Sequence, residues 1–258
     1  MSEANLVEIF SSVQGEGPYV GAPTLFLRFG GCDLRCGWCD SAHTWLPAAE
    51  CRLENAPGTG DFRTVPNPVA LEDALAAAEA LEPERHRFAS LTGGEPLLQP
   101  EAVGALARAL KARGTRVHLE THGLATEGLE AVIDAVDVVS MDWKLGSAVR
   151  RAARKGRGAE EQFHPEHERF LRVARAAPEV MVKVVVTAGS REEELDEMAR
   201  HVARVSPEVL LVVQPVTPCG TAQQAPAAQQ LLAWQRRLQG VLRDVRVIPQ
   251  THKLLGAL

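Results

Sequence analysis

The chain has 258 residues, of which 45% are apolar and 24% charged, with a formal net charge of −5. Such a composition supports a continuous buried core, and its acidic balance argues against a general nucleic-acid binder, which would usually be basic. No apolar run reaches the roughly 20 residues that cross a bilayer, and the N-terminal stretch MSEANLVEIF lacks the charged and apolar regions of a secretion signal, so a cytoplasmic protein with no membrane contact is expected.

In chain order, Thr24–Phe29 reads as a first strand, followed at once by three of the five cysteines. Leu46–Asn67 has prolines, glycines and no periodicity, and is expected to be an irregular surface loop. Leu71, Leu75, Ala78 and Leu81 then share a helical face, with Asn67-Pro68 as the expected cap and first-turn proline. Phe88–Leu91 is a short strand, and Val103, Leu106 and Leu110 stripe a second helix that Gly114 stops. Strands beginning at Arg116 and Val138 come next. After them stands the basic run Arg150–Arg157, closed by Glu160-Glu161 and expected to be solvated loop. Val180–Val186, Val209–Val213 and Val245–Ile248 read as buried parallel strands because polar alternation is missing. Between them, Ser190 and Glu193 have capping-box spacing, and Ala228–Leu238 forms a last helix ending near Gly240.

Strand and helix thus alternate about six times, which implies an α/β fold with a parallel sheet and helices outside. Barrels and doubly wound sheets both satisfy that pattern. In either, functional groups sit in loops after the C-terminal ends of the strands.

Cys32, Cys36 and Cys39 crowd one such loop. Three thiolates converging there suit a soft metal centre. Three is one short of a closed set, and on a four-iron cluster it leaves one iron open for a cofactor. The competing arrangement is a structural zinc site completed by His43. Cys51 and Cys219 stand alone and read as incidental thiols.

A Cys-x-x-x-Cys-x-x-Cys loop after a first strand resembles the radical S-adenosylmethionine superfamily. The ordered strings Gln14-Gly15-Glu16-Gly17, Phe26-Leu27-Arg28, Cys39-Asp40-Ser41, Thr92-Gly93-Gly94-Glu95-Pro96, Glu120-Thr121-His122-Gly123 and Gln250-Thr251-His252-Lys253 resemble, within it, the 7-carboxy-7-deazaguanine synthases. The resemblance covers nearly the whole chain. It implies a partial, TIM-like β/α barrel of about six strands, built as one domain over residues 1–258 with variable loops near 46–67 and 150–165.

The same resemblance implies a 4Fe-4S cluster on Cys32, Cys36 and Cys39, with S-adenosylmethionine chelated at the open iron. Gly93, Gly94 and Glu95 would meet its methionine amino group, and Glu120, Asp142, Trp143, Lys144 and Gln214 its remaining parts. Many relatives carry Ser-Pro-Lys where this chain has Asp142-Trp143-Lys144. The implied substrate is 6-carboxy-5,6,7,8-tetrahydropterin, contacted by Val13, Gln14, Gly15, Glu16, Arg28, Thr92 and His252. A planar guanidinium such as that of Arg28 suits a carboxylate, although an ion pair with Asp33 or Glu16 is the plainer reading. Ser41 would place its hydroxyl on a magnesium ion. A homodimer, and an electron donor such as flavodoxin or ferredoxin, are implied as well. Two alternatives stand beside this: a radical enzyme that activates a protein partner, and a zinc-stabilised scaffold.

Overall fold

The computed structural model describes residues 2–153 and 161–257. The basic run falls partly outside them, and so does Glu160. Among the described residues one ten-stranded sheet dominates. From one edge to the other its strands are Val245–Val247, Leu210–Pro215, Glu179–Val186, Val138–Asp142, Val117–Thr121, Phe88–Gly93, Pro23–Phe29, Leu6–Val13, Glu50–Glu54 and Phe62–Pro66. The run from Val245–Val247 to Pro23–Phe29 is parallel throughout. Its two edges are different strands, so the sheet does not close on itself. The architecture is a partial β/α barrel, with one more parallel strand than the six expected.

Alternation along these strands sorts the side chains onto two faces. Leu25, Leu27, Leu91, Leu119, Val139, Met141, Val182, Val184 and Val213 belong to the buried core. Helices Pro100–Ala112, His164–Ala174 and Glu192–Val205 supply its other side through residues such as Leu106, Phe170 and Met198. The intervening positions include Ser90, His118, Glu120, Ser140, Asp142, Lys183 and Gln214, and they face inward. The expectation of strands without polar alternation is therefore corrected. Single polar residues such as Ser90, Ser140 and Lys183 sit inside otherwise apolar strands, which hides the alternation.

Three local expectations change as well. Leu46–Asn67 contains a hairpin, Glu50–Glu54 against Phe62–Pro66, that extends the sheet. Cys51 and Leu53 point into the core while Arg52 between them is exposed, and the exposed Ala56–Gly60 stretch makes the turn. Asn67 does not cap a helix. Its side chain instead accepts from Leu6 N at 3.1 Å and donates to Leu6 O at 2.7 Å, and the helix starts at Leu71. Ser190 Oγ accepts from Thr187 N at 2.9 Å, closing a turn before the helix Glu192–Val205. Gly114 does follow its helix, at a φ of 83° that favours glycine.

Candidate active site

Register across the sheet aligns the inward polar residues into two rows. Arg28 lies beside Thr92 and Glu120 beside Ser140, while Asp142 lies beside Lys183 two residues nearer the C-terminal strand ends. The rows form the floor of a cavity at those ends of the parallel strands, and loops from both ends of the chain wall it. Of the residues singled out in the sequence, Val13, Gln14, Gly15, Glu16, Arg28, Cys32, Cys36, Cys39, Ser41, Thr92, Gly93, Gly94, Glu120, Asp142, Lys144, Gln214 and His252 line it. Glu95 and Trp143 do not.

Glu95 is fully buried behind the wall. Its carboxylate accepts from Leu97 N at 3.0 Å, Thr121 Oγ1 at 2.8 Å and His122 N at 2.7 Å. It therefore braces two loops rather than presenting charge to a ligand. Trp143 is turned into the core, where its Nε1–H donates to His164 Nδ1 at 2.9 Å. A strand alternates faces, so Asp142 and Trp143 cannot both look inward. His167 holds the same region: its Nε2 accepts from Lys144 N at 2.9 Å, and Nδ1 therefore carries the proton donated to Gly123 O at 2.8 Å.

The paired glycines serve close backbone packing. A Cβ on Gly93, whose φ is 132°, would lie 2.2 Å from Phe29 O, and one on Gly94 would lie 2.2 Å from Gly31 O. The loop after Gly93 is thereby pressed onto the start of the cysteine loop, joined by Gly94 N to Phe29 O and Glu95 N to Gly31 O.

The cysteine loop is pinned on its far side too, because Leu34–Cys36 pairs with Val149–Arg151. Asp33 accepts from His122 Nε2 at 2.8 Å, and that bond holds the Asp33 carboxyl below its ordinary value. Cys39 Sγ accepts from Trp45 Nε1 at 3.2 Å. Burial pushes the Cys32 thiol up to about 12 and that of Cys36 to about 11, so metal uptake there releases protons. His43 is exposed and lies off the cavity. A zinc site completed by His43 would need that side chain turned toward the three cysteines.

Sequence reasoning missed the central cation, Lys183. Its ammonium bonds Glu16 and lies 3.3 Å from Asp142 Oδ2, which also takes Lys144 Nζ at 2.8 Å. Burial would lower the Lys183 ammonium, but Asp142 and Glu16 hold it well above the usual lysine value. The available signal was a lysine inside the apolar strand Glu179–Val186. Glu16 gathers Gln214 Nε2 at 3.1 Å and Gln250 Nε2 at 2.7 Å, and Gln250 reaches on to Asp40 Oδ2 at 3.0 Å. Glu120 accepts from Gln14, Ser90 and Thr92. Burial would raise its carboxyl, yet His118 and these hydrogen bonds keep it below the usual range. Arg28 pairs with neither Asp33 nor Glu16. Its Nε donates to Glu8 at 2.8 Å.

Residues 27–205 match the Radical SAM superfamily model. A 7-carboxy-7-deazaguanine synthase from Geobacter sulfurreducens is 35% identical, over 99% of this chain and 98% of the relative. The chain belongs to the 7-carboxy-7-deazaguanine synthase family. Another member of that family, from Thermococcus kodakarensis, is 34% identical over 98% of both chains. The crystal structure of QueE from Escherichia coli shares the fold, with a TM-score of 0.60 at 20% identity, over 97% of this chain and 95% of that one.

Radical SAM enzymes carry a 4Fe-4S cluster and S-adenosylmethionine, and the cavity of this synthase family member fits both. Cys32, Cys36 and Cys39 line one wall of the cavity, and cysteine thiolates are the ligands that iron–sulfur clusters take. Asp142 Oδ1 and Gln214 Oε1 are buried with no hydrogen-bond partner among the described residues. Two such acceptors call for the hydroxyl or amino donors of a bound ligand.

Proposed function

We propose that the enzyme converts 6-carboxy-5,6,7,8-tetrahydropterin to 7-carboxy-7-deazaguanine with loss of ammonia, as a carbon–nitrogen lyase on the route to queuosine-type 7-deazapurine nucleosides. The observation that carries this reading is one cavity lined by three cysteines, by donors and acceptors for a flat heterocycle, and by one arginine. The cavity draws its lining from Val13 through Lys253, which supports a single catalytic domain over the whole chain.

Cys32, Cys36 and Cys39 would hold the cluster. When bound, the cluster and S-adenosylmethionine supply the radical chemistry that starts the rearrangement of the pterin. The chain's own residues bind, orient and exclude water. Asp142 and Gln214 offer their unpaired acceptors to the cofactor's hydroxyl or amino groups, with Lys144, Gly93, Gly94 and Glu120 around it. Lys144 also lies 4.4 Å above the Trp38 ring, which fixes its charge beside the cysteine loop.

Glu16 would accept from the pterin amino group and ring nitrogen, beside backbone groups of Val13–Gly15 and the Thr92 hydroxyl. Arg28 uses only Nε toward Glu8, which leaves its two Nη groups for the substrate carboxylate. His252 closes over Gly15: a Cβ on Gly15 would lie 1.9 Å from His252 Nδ1. Ser41, whose hydroxyl donates to Asp40 at 3.0 Å, supplies hard oxygen donors for magnesium against the substrate carboxylate. A reductant of the flavodoxin or ferredoxin type, a homodimeric state and a cytoplasmic location complete the reading. No described helix is long and apolar enough to cross a membrane.

The test is anaerobic reconstitution with iron and sulfide. S-adenosylmethionine, reductant, magnesium and carboxytetrahydropterin are then added, and 7-carboxy-7-deazaguanine is sought by mass spectrometry. Cofactor cleavage without that product would overturn the substrate, and failure to assemble a cluster would overturn the chemistry.

A further inference from the structure

The strand Leu6–Val13 carries an irregularity that changes which side chain faces the cavity. Leu6 pairs with Phe29, but Glu8 pairs with Arg28, so one extra residue is accommodated between Leu6 and Glu8. Continued without that bulge, the Leu6–Phe29 register would set Glu8 opposite Leu27, on the apolar, helix-covered face. A bulge re-aims side chains in this way. Its result is that Leu6 and Ile9 both enter the core, while Glu8 and Phe10 turn inward beside Arg28.

Arg28 is then held on two sides. Its Nε donates to Glu8 Oε1 at 2.8 Å, and its guanidinium lies over the Phe10 ring at 5.5 Å. Glu8 Oε2 is engaged as well, by Arg52 Nη1 at 3.3 Å from the Glu50–Glu54 hairpin strand. Arg52 in turn lies over Phe62 at 4.1 Å, on the partner strand of that hairpin. Glu8 lies outside the cavity lining and Arg28 within it.

From this arrangement we propose that Glu8 is a positioning residue for carboxylate recognition. The bulge and the hairpin together fix the plane of the Arg28 guanidinium, so that its two Nη groups meet the substrate carboxylate as a fork. This rests on the reading of Arg28 given above. Without Glu8 the guanidinium keeps its charge but loses its fixed orientation, and the gain of a bidentate over a point-charge contact is lost.

The test measures binding rather than turnover. Cluster-loaded enzyme with S-adenosylmethionine and no reductant is dialysed to equilibrium against aromatic 6-carboxypterin, and separately against pterin lacking the carboxyl group. Glu8→Ala should weaken 6-carboxypterin by about tenfold, the scale of one hydrogen bond to a charged group, and leave unsubstituted pterin unchanged. Glu8→Gln keeps an acceptor for Nε and should stay within roughly threefold of the parent. If Arg28→Gln weakens 6-carboxypterin selectively and Glu8→Ala does not, Arg28 reads the carboxylate unaided and the proposal is overturned. If Glu8→Ala weakens both pterins equally, its role is structural and the proposal falls too. If neither Glu8→Ala nor Arg28→Gln changes the preference, the Arg28 reading fails along with it.

Discussion

The two faces of the same parallel strands carry opposite chemistry. On the outer face Leu91, Leu119, Val139 and Val184 pack against helices, and any apolar side chain of similar size would satisfy them. On the inner face, one residue away in each strand, stand Thr92, Glu120, Ser140 and Lys183. Each is held by a partner: Thr92 by Glu120, Glu120 by Gln14 and Ser90, Ser140 by His118, and Lys183 by Glu16 and Asp142. The pairing teaches that stability and chemistry are separable here residue by residue, although both are written into the same short segments.

The largest effect expected is on the cavity side. Cys36→Ala should abolish 7-carboxy-7-deazaguanine formation while the metal-free protein melts as the parent does, checked by mass spectrometry and calorimetry. Lys183→Met tests the point where the two faces come closest to sharing a role. It would leave Glu16 and Asp142 without their buried cation, at a cost of about 3–5 kcal/mol, together with loss of product. Urea unfolding measures the first part, and an unchanged midpoint would show that the cation is dispensable to the fold. On the outer face, Leu119→Ala should cost about 2–5 kcal/mol yet leave turnover per folded molecule intact. A fall in turnover at a temperature where the variant is fully folded would break the separation of the faces.

The smallest effect lies at the other end of the strands. Tyr19, the single tyrosine, packs on Phe88 and donates to Glu179. Burial, then that hydrogen bond, raises its phenol from 10.0 to about 12. A raised group stabilises fully below its unfolded value, so this contribution holds up to about pH 10 and is lost between there and about 12. Phenolate absorbance in folded and denatured protein measures the difference. A single transition near 10 in both would rule out the contact with Glu179.

The outer face was legible in the sequence because short Val- and Leu-rich stretches such as Val180–Val186 and Val209–Val213 announce buried strands. The cysteine loop, Gly93-Gly94, Glu16 and Arg28 were legible as ordered motifs. Lys183 was not, because a single cation in an apolar strand matches no motif and gains its meaning only from Asp142, its neighbour across the sheet. Trp143 was misjudged because adjacency to Asp142 in sequence puts it on the opposite face. The hairpin at Glu50–Pro66 was passed over because its strands are short and mostly polar outward, and only Cys51 and Leu53 mark its buried side. The Glu8 bulge leaves no trace in composition at all.

The short ribbon between Leu34–Cys36 and Val149–Arg151 also decides where the chain tolerates cutting and splicing. Arg150 and Arg151 are paired residue for residue with Arg35 and Leu34, so a reporter or epitope joined immediately after Arg151 would pull on the backbone of Leu34, between Cys32 and Cys36. The turn around Gly58 is exposed, but Gly58 itself has a φ of 69° that side chains rarely adopt, so the exposed Ala56 beside it is the better anchor. A fluorescent or affinity label belongs at Ala56, and a cross-linker placed at Arg150 would report on the cysteine loop itself.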